Sequence, residues 1–181
     1  QAGRFLSGRA PGVLLALAGI LFAGLSFARN GEWSTPLRFW ESAAKSSPRS
    51  ARALQGYGQS LYATGRFREA IPPLERATRI YPRYDPAWVD LGIAQMQSRR
   101  EKEAEVSLRR ALKFNPDSPE GQLSLGVLLV GTGRPEKGCH HLEKAIALDP
   151  NLVEARFNLG TLYMKAGENA KAIRHFQAAL S

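Results

Sequence analysis

The sequence predicts an all-α chain, a solenoid of helix-turn-helix units preceded by one transmembrane helix. Three observations predict it. Gly58, Gly92, Gly126 and Gly160 fall 34 residues apart, Pro82, Pro116 and Pro150 keep the same interval, and Ala10 to Ala28 are nineteen residues without a charge. A period of this length marks a stacked helical array. Each unit of such an array buries its core against its neighbours and leaves a long concave surface open.

The first element is the uncharged segment, within an amino-terminal flank of residues 1–31. At 1.5 Å per residue a helix over 10–28 spans about 28 Å, against a hydrocarbon core of roughly 30 Å. Arg4 and Arg9, with Ser26-Phe27-Ala28 as a small-residue cleavage site, also fit a secretory signal, but the apolar run exceeds the usual signal core and favours an anchor. Arg4 and Arg9 precede the span, and Arg29 and Arg38 follow it, so these four are the expected membrane-facing basic residues. A basic leader before a single apolar helix reads as a signal-anchor, with the repeats outside the cytoplasm, in a periplasm. A half-repeat over 32–50 comes next. Ser34-Thr35-Pro36 starts its helix, and Trp40, Ala43 and Pro48 share the phases of Leu74, Ala77 and Pro82. It should cap the array.

Four repeats follow, at 51–84, 85–118, 119–152 and 153–181. Twelve residues after each glycine stands Ala70, Ala104, Gly138 or Ala172, then Leu74, Leu108, Leu142 or Phe176, then Ala77, Ala111, Ala145 or Ala179. A mid-helix glycine costs about 1 kcal/mol relative to alanine, so its recurrence at one phase requires close approach of the two helices of a unit. The prolines end each second helix. Gly65, Gly133 and Gly167 mark left-handed turns between the helices. Arg99 replaces that glycine in the second repeat, so its turn should differ. In the last repeat the faces around Ile173 and Phe176 should need cover, either from more chain or from a partner.

Trp88, Leu91-Gly92, Ala104, Leu108, Ala111 and Pro116, with Leu159-Gly160, Tyr163, Ala172, Phe176 and Ala179, resemble the tetratricopeptide repeat family. The resemblance covers residues 34–181 and implies a right-handed α-solenoid that binds other proteins. Gln122 and Arg156 stand in the phase of Trp88 and should weaken packing there. The resemblance also implies the inward positions of the groove: Gln55, Gln59 and Tyr62; Val89, Ile93 and Met96; Leu123, Val127 and Val130; Phe157, Thr161 and Met164. Relatives that grip a peptide carboxylate place Lys and Asn there, and this chain does not. The expected occupant is an apolar or amphipathic helix, with Met96 and Met164 as adaptable contacts, although packing within the array accounts for some of these side chains equally well.

Charge and chemistry narrow the function further. The net charge is +9, of which residues 1–84 carry +8, the second repeat 0, the third −1 and the last +2. Arg66, Arg68, Arg76, Arg79 and Arg83 thus lie toward the proposed membrane side, where anionic headgroups or an acidic neighbour would meet them. No aromatic-basic motif of a nucleic-acid module accompanies them. Arginine outnumbers lysine 18 to 7, the balance of a GC-rich bacterial genome. The lone Cys139 excludes an internal disulfide. His140 and His141 adjoin it, and His175 lies one period from His141, which predicts stacked imidazoles on adjacent helices. Ligand spacing for a metal is lacking, and no nucleophile-base set or phosphate loop appears. The expectation is a non-enzymatic scaffold without a cofactor, a subunit of a membrane complex whose partners are other proteins and the bilayer.

A second resemblance gives the alternative. The apolar span, Arg29-Asn30-Gly31-Glu32-Trp33, the Trp40 helix and Ser47-Pro48-Arg49-Ser50-Ala51-Arg52 are similar to the carboxyl-terminal end of multi-spanning membrane glycosyltransferases related to protein O-mannosyltransferases. That likeness implies repeats outside the cytoplasm and a non-catalytic tail that positions substrate.

Overall fold

A computed structural model describes residues 35–180. The predicted span over 10–28, together with Arg4, Arg9 and Arg29, lies outside the described residues. Among those described, nine α-helices and no strand are found: α1 (Pro36–Ser46), α2 (Ala51–Ala63), α3 (Phe67–Ile80), α4 (Asp85–Gln97), α5 (Glu101–Phe114), α6 (Pro119–Gly131), α7 (Pro135–Leu148), α8 (Val153–Lys165) and α9 (Asn169–Leu180). No described helix is long and apolar enough to cross a membrane.

Local chemistry sets the helix starts. Thr35, Ser50 and Ser118 accept at their hydroxyls from the backbone N–H of Arg38 (3.3 Å), Ala53 (3.2 Å) and Gly121 (3.1 Å), each satisfying one orphan donor of a first turn. Pro36, Pro86, Pro119 and Pro135 occupy first-turn positions, where a missing N–H costs nothing. The second helices α3, α5 and α7 stop two residues before Pro82, Pro116 and Pro150. There Tyr81, Asn115 and Asp149 donate back to the carbonyls of Ala77, Ala111 and Ala145 at 2.9–3.0 Å. Pro72 and Pro73, inside α3, break the rule and remove two intrahelical donors. The carbonyls so freed belong to Arg68 and Glu69, which are exposed to water.

The four turns within repeats share one geometry. Gly65, Gly133 and Gly167 have φ of +76°, +77° and +78°, and Arg99 has φ of +62°. At each, the turn residue donates three residues back (Gly65 to Tyr62, Arg99 to Met96) and its successor five back (Arg66 to Leu61, Arg100 to Gln95). The expected difference at Arg99 is therefore corrected. The flanking helices impose the left-handed turn, and arginine bears the strain that glycine avoids.

The glycine-to-leucine phase is steric, as the sequence predicts. A Cβ on Gly58 would lie 2.5 Å from Leu74 Cγ, on Gly92 2.6 Å from Leu108 Cγ, on Gly126 2.9 Å from Leu142 Cγ, and on Gly160 2.8 Å from Phe176 Cε1. Leu74, Leu108 and Leu142 are fully buried in those clefts. One apolar core runs from Leu61 through Leu74, Trp88 and Leu108 to Leu129, and a second joins Leu123, Leu142 and Leu159. At the amino end α1 lies against α2, with the Trp40 ring filling the space over Gly56.

Candidate protein-binding groove

Two faces carry the distinctive side chains of the array. One is formed by the first helices α2, α4, α6 and α8, whose neighbours also touch each other directly. The other is formed by the second helices.

The twelve inward positions fall into three groups. Val89 (6% exposed) and Leu123 (7%) are buried within the first and second apolar cores and offer little surface. Tyr62, Ile93 and Met96 pack half-buried on the first core, and Val127 and Val130 on the second, so they form an apolar strip continuous with the interior. Gln59 is exposed. At α8 the floor opens. Phe157, in phase with Leu123, is 59% exposed and Met164 53%, while Phe157 leans on Phe176 at 5.6 Å between ring centroids. The Thr161 hydroxyl donates to the Phe157 carbonyl at 2.9 Å.

Gln55 reveals a feature that sequence reasoning missed. Its Nε2 donates to Asp90 Oδ2 at 2.5 Å, across from α2 to α4, and its Oε1 accepts from the Tyr84 hydroxyl at 3.5 Å. Burial pushes the Asp90 carboxyl up to about 6, opposed by the Gln55 bond. Gly56, Ser124 and Asn158 hold the same phase in the other repeats. That contrast was the available signal, one residue beyond the inward positions.

The contacts between first helices, proline turns and second helices correct one further expectation, the stacking of His141 and His175. Trp88 Nε1 donates to the Pro82 carbonyl at 2.8 Å, Gln122 Nε2 to Pro116 at 2.8 Å and Arg156 Nε to Pro150 at 2.9 Å. Trp88, Gln122 and Arg156 thus share an N–H donor six residues beyond the proline, a role that replacing the ring does not remove. Leu54 has no donor, and Arg76 reaches the Pro48 carbonyl at 3.1 Å. The histidines do not stack on each other. His141 Nδ1 bonds Gln122 Oε1 at 2.7 Å, while His175 stacks on Tyr163 at 5.5 Å. Because Gln122 Nε2 is committed to Pro116, its Oε1 requires the proton on His141 Nδ1. Burial, then His140, Arg109 and Lys144, lower the His141 pKa.

Cys139 is half-buried, 3.6 Å from Glu143 Oε1 and 3.9 Å from the Tyr163 hydroxyl. Burial and the Glu143 charge raise its pKa, which disfavours the nucleophilic thiolate. Among the described residues no three His, Cys, Asp or Glu side chains gather as a metal site. Arg38 is exposed on α1, as are Arg66, Arg68, Arg76, Arg79 and Arg83 on and beside α3, with Arg66 forked onto Glu69 at 2.9 and 2.5 Å.

Family models described as tetratricopeptide repeat match residues 21–85, 61–128, 119–152 and 141–174. No curated protein matches the chain in sequence. Among solved structures it is similar to MamA (41-end) from Desulfovibrio magneticus RS-1, at 21% identity over 88% of this chain and 92% of that one, with a TM-score of 0.69. It is also similar to a thermophilic TPR protein in Thermus thermophilus, at 23% identity over 88% of each chain and a TM-score of 0.72. A third likeness is to YrrB, described as a TPR protein with an unusual peptide-binding site, at 24% identity over 89% and 82% and a TM-score of 0.62. At these identities the likeness is one of fold.

Proposed function

The chain belongs to the tetratricopeptide repeat family, and from that premise we propose that it is a non-catalytic scaffold whose first-helix groove holds an apolar or amphipathic helix of a partner protein. The observation that carries this reading is the half-buried strip of Tyr62, Ile93, Met96, Val127 and Val130, which crosses three repeats and widens into exposed Phe157 and Met164. A helix laid on such a strip is read by side chains at three- and four-residue spacing. Photo-crosslinking tests it. A benzophenone side chain at Val127 should give one discrete adduct in cells, and the same probe at exposed Val106 on α5 should give none. Equal labelling from both positions would move the site off the groove.

The scaffold is further proposed to serve a membrane complex, anchored through residues 10–28 with Arg4, Arg9, Arg29 and Arg38 near headgroups and the repeats outside the cytoplasm. Its support is the uncharged run and the basic leader. One specific observation favours a second reading of that segment. The family match begins at residue 21, and Gly24 and Gly31 stand 34 residues before Gly58 and Gly65, so the segment is also in register to be the first helix of the α1 unit. Alkaline extraction of membranes separates the two: an anchor stays in the pellet, and an added repeat goes to the supernatant. If the chain is instead the tail of a membrane glycosyltransferase, the groove would position substrate. The intact mass of the native protein distinguishes a small adaptor from a far larger chain.

A further inference from the structure

Asp90, on α4, accepts from Gln55 on α2 and so ties the first helices of repeats one and two. It follows buried Val89 and precedes half-buried Ile93 by three residues, so it stands beside the apolar strip. Glu41, Glu69, Glu103, Glu105, Asp117 and Glu168 each pair with a lysine or arginine, all at exposed or partly exposed sites. Asp90 has no cationic partner among the described residues; the Gln55 amide alone bonds its carboxylate. An ionised carboxylate accepts at about four lone-pair sites, so most of this acceptor capacity remains open. Asp90 is partly buried, and a carboxylate held partly out of water without a countercharge favours a cation offered to it. Its equivalents Gly56, Ser124 and Asn158 are uncharged, so the array carries a charge at this phase only in the second repeat.

We propose that Asp90 is the seat for a single lysine or arginine carried within the apolar face of the helix that occupies the groove. This rests on the groove reading above and adds to it a partner chemistry, an amphipathic helix with one basic residue set among aliphatic ones. The charge fixes the register of the ligand while the strip of Ile93, Met96 and Val127 supplies contact area, since complementary charge gives specificity more than raw affinity.

The test uses the full chain and a displayed library of helical peptides about 18 residues long, roughly 27 Å of helix, with leucines at three- and four-residue spacing and the other positions randomised. Binders count as groove binders when Val127→Glu and, separately, Ile93→Glu abolish capture while far-UV circular dichroism shows unchanged helix content. The expected result is that groove binders carry a lysine or arginine inside the leucine face. Asp90→Asn should weaken them about tenfold or more, and replacing the peptide's basic residue by methionine should remove that difference between the two chains. Groove binders without such a residue, or bound equally by Asp90→Asn, would overturn the proposal and leave Asp90 as an inter-repeat tie to Gln55. Peptides that bind regardless of Val127 and Ile93 would instead overturn the groove reading, and this inference with it.

Discussion

Arg99 shows at the scale of one residue how the array overrides local preference. Its φ of +62° matches the glycine turns, and its successor Arg100 donates to Gln95 at 2.9 Å as Arg66 and Arg134 do in theirs. A side chain in the left-handed region costs about 1–2 kcal/mol, partly offset by the extra entropy a glycine loses on folding. Arg99→Gly should therefore stabilise the protein by about 1 kcal/mol, raising Tm by about 2–4 °C for a chain of this size, as calorimetry would show; a lower Tm would mean the arginine makes a compensating contact. Asp90 allows a second prediction. Its carboxyl rises from an ordinary 3.8 to about 6 on folding, so the folded state holds the proton more tightly. Its contribution is complete below pH 4 and is lost as pH rises through about 6. Asp90→Asn should flatten the fall of stability across that window in urea titrations at several pH values, and a slope equal to wild type would refute the assignment.

The helix pair is the scale at which the sequence was most legible, because a steric constraint leaves the same trace in every copy. The Gly58, Gly92, Gly126 and Gly160 phase and its partners 16 residues on were readable for that reason, and so was the Thr35-Pro36 helix start. The role that Trp88, Gln122 and Arg156 share, a donor for a proline carbonyl, was not legible because an indole, an amide and a guanidinium have no size or polarity pattern in common. The groove was legible in outline only. Val89 and Leu123 are buried within cores shared between repeats, which one repeat's pattern does not encode. In the third pair the second helix also lacks room for a Cβ, since one on Gly138 would lie 2.8 Å from the Gly126 carbonyl oxygen and 2.5 Å from Val130 Cγ2. Gly138→Ala should cost about 1–3 kcal/mol although the other repeats carry alanine there, and a melt matching wild type would show that the pair can spread. Gln122→Leu removes a buried donor and leaves His141 Nδ1 without its acceptor, for a loss of about 1–3 kcal/mol in chemical denaturation. An unchanged midpoint would show that Lys144, 3.0 Å from the same Pro116 carbonyl, suffices.

Across the whole molecule, stability should be graded along the array, because each unit touches only its neighbours. The core from Leu61 to Leu129 spans three repeats, whereas α9 buries only Ala172 fully and leaves Ile173 and Leu180 at 55% and 89% exposed. Native-state hydrogen exchange should find α9 opening first and α4 to α6 last; uniform protection would mean the described helices unfold as one cooperative block. The shared geometry of the four turns has a wider implication. If every turn hands the chain on in the same orientation, a cut at Gly65 and another at Gly133 bound a cassette of two units that can be duplicated or excised in frame. Recombination between such points would lengthen or shorten the ligand track while leaving each junction chemically unchanged, so the reach of this scaffold can evolve independently of its folding.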